Sequence, residues 1–150
     1  MARDAKCPMA AVSGCLVGLK CRFDGRSKTH HDLLASLKGV CVVPLCPEQL
    51  GGLATPRPAA HFVGGSGHEV LDGTARVLDD RGEDVTEAYL RGSRETLKIC
   101  QLLNIRKAFL KEKSPACGTR LVTVGRKLTA GIGVAAALLR RAGVQLVGVP

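Results

Sequence analysis

Aromatic side chains are scarce in this sequence, which has three Phe, one Tyr and no Trp among its 150 residues. A core with so few rings has to be built from Val, Leu, Ala and Ile, and that composition is typical of a buried parallel sheet covered by helices. Hydrophobic residues make up 45% of the chain, so the polar bias of a disordered protein is absent as well. Length and composition predict one globular domain over residues 1–150.

Long apolar segments are also missing. No run approaches the ~18 residues that are needed to cross a bilayer. The N-terminus, MARDAKCP, is charged and lacks the apolar stretch of an export signal. We therefore expect a cytoplasmic protein without a membrane partner.

The cysteines do not fit a disulfide framework. There are seven of them, an odd number, and no export signal accompanies them. This argues for metal binding, catalysis or inert burial. For Cys7, Cys41 and Cys100 we expect inert burial, because a free cysteine is commonly a small buried hydrophobic residue.

The chain carries a formal net charge of +9, which could attract nucleic acid or anionic ligands. Its basic residues are scattered, however, and form neither an arginine-rich tail nor a basic strand studded with aromatic rings. The sequence therefore favours a solvated basic surface and makes nucleic acid an unlikely but open partner.

Strand patterns alternate with helix patterns along the chain. The strands are predicted at 10–16, 41–45, 74–78, 108–110 and 144–149, and the helices at 30–38, 87–103 and 133–141. The Gly- and Pro-rich stretch 51–73 is predicted to be an ordered functional loop. Strands separated by helices imply βαβ units, so we predict an α/β protein with a three-layer Rossmann-like fold, a mostly parallel sheet and helices on both faces.

Three cysteines fall at the carboxyl ends of different predicted strands: Cys15, Cys46 and Cys117. Parallel strands place these ends at one edge of the sheet, where α/β folds bind their ligands. None of the three belongs to a CxxC pair, so a zinc ribbon or finger is not indicated. Three thiolates can hold a [4Fe-4S] cluster and leave its fourth iron open to a substrate. The spacing alone is equally compatible with three separately buried cysteines.

Two of these cysteines have chemically useful neighbours. Glu48 lies two residues after Cys46, and Ser114 lies three residues before Cys117. A carboxylate beside a metal can act as a general base on water, and a hydroxyl can orient a substrate or relay a proton. Glu48 could also be a carboxylate at the start of a helix, and Ser114 could belong to a plain turn.

Six short segments carry a resemblance to a known family. In order they are VSGCLVG at 12–18, CRFDG at 21–25, CPE at 46–48, GGLATPRP at 51–58, GEDVT at 82–86 and LKEKSPACG at 110–118. Together they resemble the 2-thiouracil desulfidase family over nearly the whole chain. The resemblance implies an enzyme that converts C=S to C=O in a thiouracil-like small molecule and releases sulfide.

The resemblance also implies the site. A [4Fe-4S] cluster would be held by Cys15, Cys46 and Cys117, its open fourth iron would bind the substrate sulfur, and Glu48 and Ser114 would be catalytic. Glu48 would deprotonate the attacking water, and Ser114 would position or protonate the substrate. Cys21 is not expected to be a ligand.

The sequence departs from the family at two places. Ala59-Ala60-His61 stands where relatives have a Pro-Ala-Glu element, and residues 119–125 replace a Tyr-Asp-Gly-type stretch. His61 could take over the function of the carboxylate or could simply be solvated. Arg57 could orient a polar substrate group or could have a structural role in its loop. The substrate is therefore less well predicted than the cluster.

Two other functions stay open at this point. The net positive charge would suit an enzyme that acts on thiolated bases within tRNA. The three thiolates could instead hold a structural zinc ion, or a cluster that senses oxygen or iron. The sequence does not predict the physiological substrate, the fate of the sulfide or the oligomeric state.

Overall fold

A computed structural model describes residues 6–150 of the chain. Residues 1–5, which contribute to the prediction that no export signal is present, lie outside the described part. The strands are β1 (Met9–Ser13), β2 (Cys41–Leu45), β3 (Ala60–Val63), β4 (Arg76–Asp79), β5 (Lys107–Lys111), β6 (Leu121–Val124), β7 (Lys127–Ala130) and β8 (Gln145–Val149). The helices are α1 (His31–Ser36), α2 (Pro47–Leu50), α3 (Gly67–Leu71), α4 (Thr86–Leu102) and α5 (Val134–Arg141).

The main sheet has the strand order β2-β1-β5-β8, and every neighbouring pair in it is parallel. Each of its strands overlaps a strand predicted from the sequence. Because the pairs are parallel, the carboxyl ends of all four strands lie at one edge of the sheet. The predicted α/β class with a mostly parallel sheet is confirmed.

Helices cover both faces of this sheet, as predicted, and the alternation of side chains along the strands shows how. Ala11, Ala108 and Leu110 belong to the larger core cluster, which also contains residues of α4 and α5. The next residue on each strand points to the other face: Val12, after Ala11, and Phe109, after Ala108, belong to a second cluster, beneath α1. The period of two along each strand thus separates the two cores.

A second sheet, with the strand order β4-β3-β6-β7, was not predicted, although β4 overlaps the strand predicted at 74–78. The prediction that 51–73 is a loop is wrong in part, because β3 and α3 lie within it. In the segment 119–125, where no strand was predicted, the structure has β6. These strands have four residues each, too short for a clear alternating pattern. Their pairing is also long-range, since Phe62, which is fully buried, lies opposite Val124. Such pairing depends on tertiary packing, which local sequence does not encode.

The cysteine predictions are partly wrong. Cys100 is buried and free, as expected, but Cys7 and Cys41 form a disulfide with a Cα–Cα distance of 5.6 Å. They meet because Cys41 begins β2 and its backbone N–H donates to the carbonyl of Pro8, directly before β1. The disulfide joins the amino ends of two adjacent strands, at the edge of the sheet that faces away from the predicted site.

Within residues 6–150, no helix combines the length and the apolar character that crossing a membrane requires.

Candidate active site

A cavity of about 580 Å³ opens at the carboxyl edge of the main sheet. Segments that follow β1, β2 and β5 line it, together with the loop before β3. All five predicted site residues are among its lining residues: Cys15, Cys46, Glu48, Ser114 and Cys117. The structure therefore brings together side chains that are far apart in sequence.

The three predicted ligands sit just beyond the strand ends. Cys15 lies in a 3-10 turn, Gly14–Val17, that directly follows β1. Cys46 follows β2 and is the N-cap of α2, with Pro47 at the first helical position. Cys117 lies in the turn after β5, where the N–H of Gly118 donates to the carbonyl of Ser114 at 2.8 Å. Each thiol is thus carried by a tight turn that is anchored on a strand of the sheet.

A fourth thiol, that of Cys21, lies between those of Cys15 and Cys46. A hydrogen bond from Cys21 lowers the pKa of Cys15, and the same hydrogen bond raises the pKa of Cys21. The pKa of Cys46 is raised by its hydrogen bond with Cys21 and by burial, and burial raises the pKa of Cys117 to about 12. A metal that binds these sulfurs must displace protons, so metal binding is favoured by higher pH.

Ser114 is held as an acceptor. Its Oγ accepts hydrogen bonds from the backbone N–H groups of Ala116 at 3.1 Å and Cys117 at 3.0 Å. Because both bonds use lone pairs of the oxygen, the hydroxyl hydrogen remains available to donate. The hydroxyls of Ser114 and Ser13 also act on the Cys117 thiol, where they partly oppose the effect of burial on its pKa. Ser114 thus lines the cavity with a hydroxyl hydrogen that the two backbone hydrogen bonds do not use.

Glu48 is the second residue of α2 and is mostly buried. Its Oε1 accepts a hydrogen bond from the hydroxyl of Tyr89 at 2.6 Å and another from Nε of Arg57 at 3.1 Å. Tyr89 belongs to α4 and is 2% exposed. The carboxylate is thus paired with a cation and a phenol at the wall of the cavity.

Arg57 uses all five of its N–H donors inside the protein. Its guanidinium joins the loop after α2 to the segments that carry Cys21 and Cys46. The acceptors are Oε1 of Glu48 at 3.1 Å, the carbonyl of Ala54 at 3.1 Å, Oγ1 of Thr55 at 2.9 Å, the carbonyl of Cys21 at 2.8 Å and Sγ of Cys46 at 3.9 Å. Of the two roles considered for Arg57, the structure favours the structural one.

Close contact between α2 and α4 brings Tyr89 to Glu48. The two helices meet at Gly51 and Gly92, where a Cβ on either glycine would overlap a backbone carbonyl oxygen of the other helix. The partners of Gly92 and Gly51 in these overlaps are Pro47 and Ala88. Only glycine permits this approach, and it places Tyr89, next to Ala88, against Glu48, next to Pro47.

The loop that follows Cys117 is anchored on Glu112, which is buried. Its carboxylate accepts hydrogen bonds from the hydroxyl and N–H of Thr119 and from the N–H groups of Arg120 and Leu121. Burial acts to raise the pKa of Glu112, but these hydrogen bonds outweigh it and the pKa is lowered. An ionised Glu112 thus fixes the departing end of the turn that carries Cys117.

Besides Arg57, four basic side chains line the cavity: Arg22, Lys28, Lys111 and Lys113. Burial, and then repulsion by neighbouring cations including Arg22, lowers the pKa of Lys111. His61 lies outside the lining residues, on β3, with its Nδ1 4.0 Å from Oδ1 of Asp80. His61 is therefore not in a position to take over, within the cavity, the function of the carboxylate that relatives have at this place.

Sequence reasoning missed Tyr89 and the proximity of Cys21. Tyr89 is the only Tyr of the chain and shares a buried face of α4 with Ser93, Thr96 and Cys100. Its spacing from these residues marks it as a core position. The polar character of that face is the one signal in the sequence that its hydroxyl has a buried partner.

Both the sequence and the structure of this chain are similar to those of known proteins. A model of the family described as 2-thiouracil desulfurase matches residues 10–149. The uncharacterized protein YbbK of Bacillus subtilis (strain 168) is 41% identical over 143 residues, which cover 93% of this chain and 94% of YbbK. A solved structure, that of the [4Fe-4S]-dependent thiouracil desulfidase TudS, matches with a TM-score of 0.81 at 38% identity, and the match covers 94% of this chain and 90% of TudS.

Proposed function

Because the chain belongs to the 2-thiouracil desulfurase family, we propose that it removes sulfur from a thiouracil-like small molecule. The net reaction is hydrolysis of C=S to C=O with release of sulfide, and it involves no net oxidation or reduction. The motifs that resembled this family in the sequence are confirmed by the family match and by the likeness to TudS. Side chains of both sheets share the larger core, which supports the further proposal that residues 1–150 act as one domain.

We further propose a [4Fe-4S] cluster held by Cys15, Cys46 and Cys117. The donor set fits such a group, because all three thiols are free and line the same cavity from different turns. A cluster takes one thiolate on each of several irons, so its ligands need not converge on a single atom. Within the described residues, no three His, Cys, Asp or Glu side chains lie close enough to share one metal ion.

When bound, the cluster would supply a Lewis-acidic iron that could polarise the thiocarbonyl group. The remaining steps belong to the protein. Glu48 accepts a proton from water, and the oxygen of that water forms a bond to the thiocarbonyl carbon. The Ser114 hydroxyl donates to the substrate and holds it in place. When the C–S bond breaks, sulfur leaves with the electron pair as sulfide, the hydroxyl on the carbon gives up its proton and becomes the carbonyl of the product, and the two protons of the water balance the sulfide as hydrogen sulfide.

One observation carries this proposal: a carboxylate and a hydroxyl share a cavity with four free thiols, three of which are the proposed ligands. Glu48 and Ser114 also make hydrogen bonds within the protein, but a metal site that only stabilised the fold, or only sensed oxygen, would not require either of them in the cavity. Moreover, Glu48 is held by partners on one oxygen, as expected of a group that must be oriented rather than merely buried.

Anaerobic reconstitution tests the cluster. We expect about four irons and four sulfides per chain in the wild type, and a visible absorption band. Cys117→Ala should lose both, whereas the matched variant Cys100→Ala, which removes another buried free thiol, should keep them. Zinc alone, or an iron content that does not depend on Cys117, would refute the proposed cofactor.

Glu48→Gln tests the catalytic carboxylate. The amide cannot accept the proton of water, so turnover of 2-thiouracil should fall by about 100-fold or more. Iron content should stay at the wild-type level, because Glu48 is not a proposed ligand. Uracil formation and sulfide release report the turnover. A variant that keeps its activity would eliminate Glu48 as the base.

The basic lining of the cavity favours one alternative, an enzyme that acts on thiolated bases within tRNA. The four cationic side chains in its lining could contact phosphates. Filter binding of bulk tRNA at varied salt separates the two functions. A steep decrease of affinity with salt supports the alternative, whereas weak binding at all salt concentrations supports a small substrate.

A further inference from the structure

We propose that Tyr89 is a positioning residue for the reaction. Together with Arg57, it holds Oε1 of Glu48 within the protein and leaves Oε2 facing the cavity. The inference rests on the proposed function, since it assigns Tyr89 a part in orienting the proposed base.

The hydrogen bonds to Glu48 are one-sided. The Tyr89 hydroxyl, at 2.6 Å, and Nε of Arg57, at 3.1 Å, both donate to Oε1. Among the described residues, no side chain or backbone group donates to Oε2, although Glu48 lines the cavity. The terminal torsion of a glutamate is broad and weakly restricted by itself. Two donors on the same oxygen remove that freedom and decide which oxygen meets the substrate side.

Both donors are themselves fixed. Arg57 has all five N–H groups bonded, so it cannot follow a moving carboxylate. Tyr89 is buried, and within the described part of the chain its hydroxyl has Glu48 as its hydrogen-bond partner. Burial and the nearby negative charge of Glu48 raise the pKa of Tyr89 well above its ordinary value, so the phenol remains a neutral donor.

The backbone supports the same arrangement. Gly51 and Gly92 let α2 and α4 approach so closely that a Cβ on either would overlap the opposite helix. Tyr89 and Glu48 each lie one residue away from a glycine contact, Ala88 and Pro47. The close approach therefore brings the hydroxyl and the carboxylate within hydrogen-bond distance.

Tyr89→Phe tests the inference, since phenylalanine keeps the ring and removes only the donor. Ser93→Ala is the matched control: Ser93 Oγ donates to the Tyr89 carbonyl at 2.7 Å, Ser93 is fully buried one turn further along α4, and it makes no hydrogen bond to Glu48. In reconstituted protein we expect kcat of Tyr89→Phe to fall by about 10-fold to 100-fold with KM nearly unchanged. Iron and sulfide contents should match the wild type, and Ser93→Ala should keep its kcat.

A second measurement needs no turnover. In cluster-free full-length protein labelled with ¹³C at glutamate carboxyls, the Glu48 resonance is identified by its absence in Glu48→Gln. At one fixed pH it should move in Tyr89→Phe and stay in Ser93→Ala. A core-filling tyrosine would leave both the resonance and the ratio of kcat to KM at their control values.

The results for Glu48→Gln and Tyr89→Phe distinguish a failure of the positioning role from a failure of the proposed function. If Glu48→Gln is inactive but Tyr89→Phe behaves like Ser93→Ala in both measurements, only the positioning role is overturned. If Glu48→Gln keeps full activity, the base and its positioning residue are both overturned. A lowered kcat together with a shifted resonance in Tyr89→Phe supports the inference.

Discussion

Replacing Gly92 with alanine should disturb both the stability and the activity of the protein. Gly92 lies inside α4 at its contact with α2. A Cβ there would overlap the Pro47 carbonyl oxygen and lie 2.9 Å from the backbone N of Gly51. These are backbone atoms of a short helix, so they cannot turn away as the end of a flexible side chain can. The two helices must therefore separate.

Two effects of opposite sign decide the magnitude. Alanine is favoured over glycine in a helix interior by about 1 kcal/mol. Overpacking a tight contact costs about 1–3 kcal/mol, and more where backbone must move. We expect the contact to prevail and the free energy of unfolding to fall by about 1–2 kcal/mol. For a chain of this length, that corresponds to a Tm lower by about 2–8 °C.

Thermal unfolding followed by circular dichroism measures this effect, with Arg94→Ala as the control at an exposed position on the same helix. Separation of α2 from α4 should also pull Glu48 away from Tyr89, so kcat should fall more than iron content does. Gly92→Ala could instead raise the Tm, as the higher helix propensity of alanine alone would do, and leave kcat unchanged. That result would refute both the close contact between the helices and its effect on Glu48.

Three further changes test other parts of the structure. Glu112→Gln places an amide donor against backbone N–H groups and should cost about 1–3 kcal/mol in urea unfolding. The pKa of Glu112 is lowered in the folded state, so its contribution to the free energy of unfolding is fully present above about pH 4.3. This contribution is lost as the pH falls through the pKa of the folded state. In acid the wild type should therefore lose its stability advantage over Glu112→Gln. Cys7→Ser removes the disulfide to Cys41 and should cost about 2–4 kcal/mol without reductant, yet leave iron content and kcat unchanged. Cys21→Ser should keep about four irons per chain, since Cys21 is predicted not to be a ligand, and loss of iron on analysis would contradict that prediction.

The sequence was most informative where local pattern and topology agree. Continuous apolar runs marked the strands of the parallel sheet, and parallel strands share an edge. The convergence of Cys15, Cys46 and Cys117 on one cavity could therefore be predicted without any contact being visible. Glu48 and Ser114 were found because they are near these cysteines in sequence. Their roles, like the three ligands and a cytoplasmic location, stay predictions.

What was missed depends on packing. The second sheet joins four-residue strands that are distant in sequence, and the bond from Tyr89 to Glu48 exists because two glycines let two helices touch. Cys21 reaches the other thiols through the path of a loop, which spacing does not reveal. The sequence argued against a disulfide framework because the cysteine count is odd and no export signal is visible, although Cys7 and Cys41 lie at the starts of neighbouring strands.

The turns that carry the three thiols are anchored on different strands of one sheet, and this has a consequence for biosynthesis. An unfolded chain has no short cysteine motif that could capture metal by itself, so under the proposed function the polypeptide must fold before its cofactor is inserted. The folded apoprotein is then the form that receives the cofactor. Loss of the cofactor to oxygen should likewise return a folded chain that is ready to be reloaded, rather than one destined for degradation.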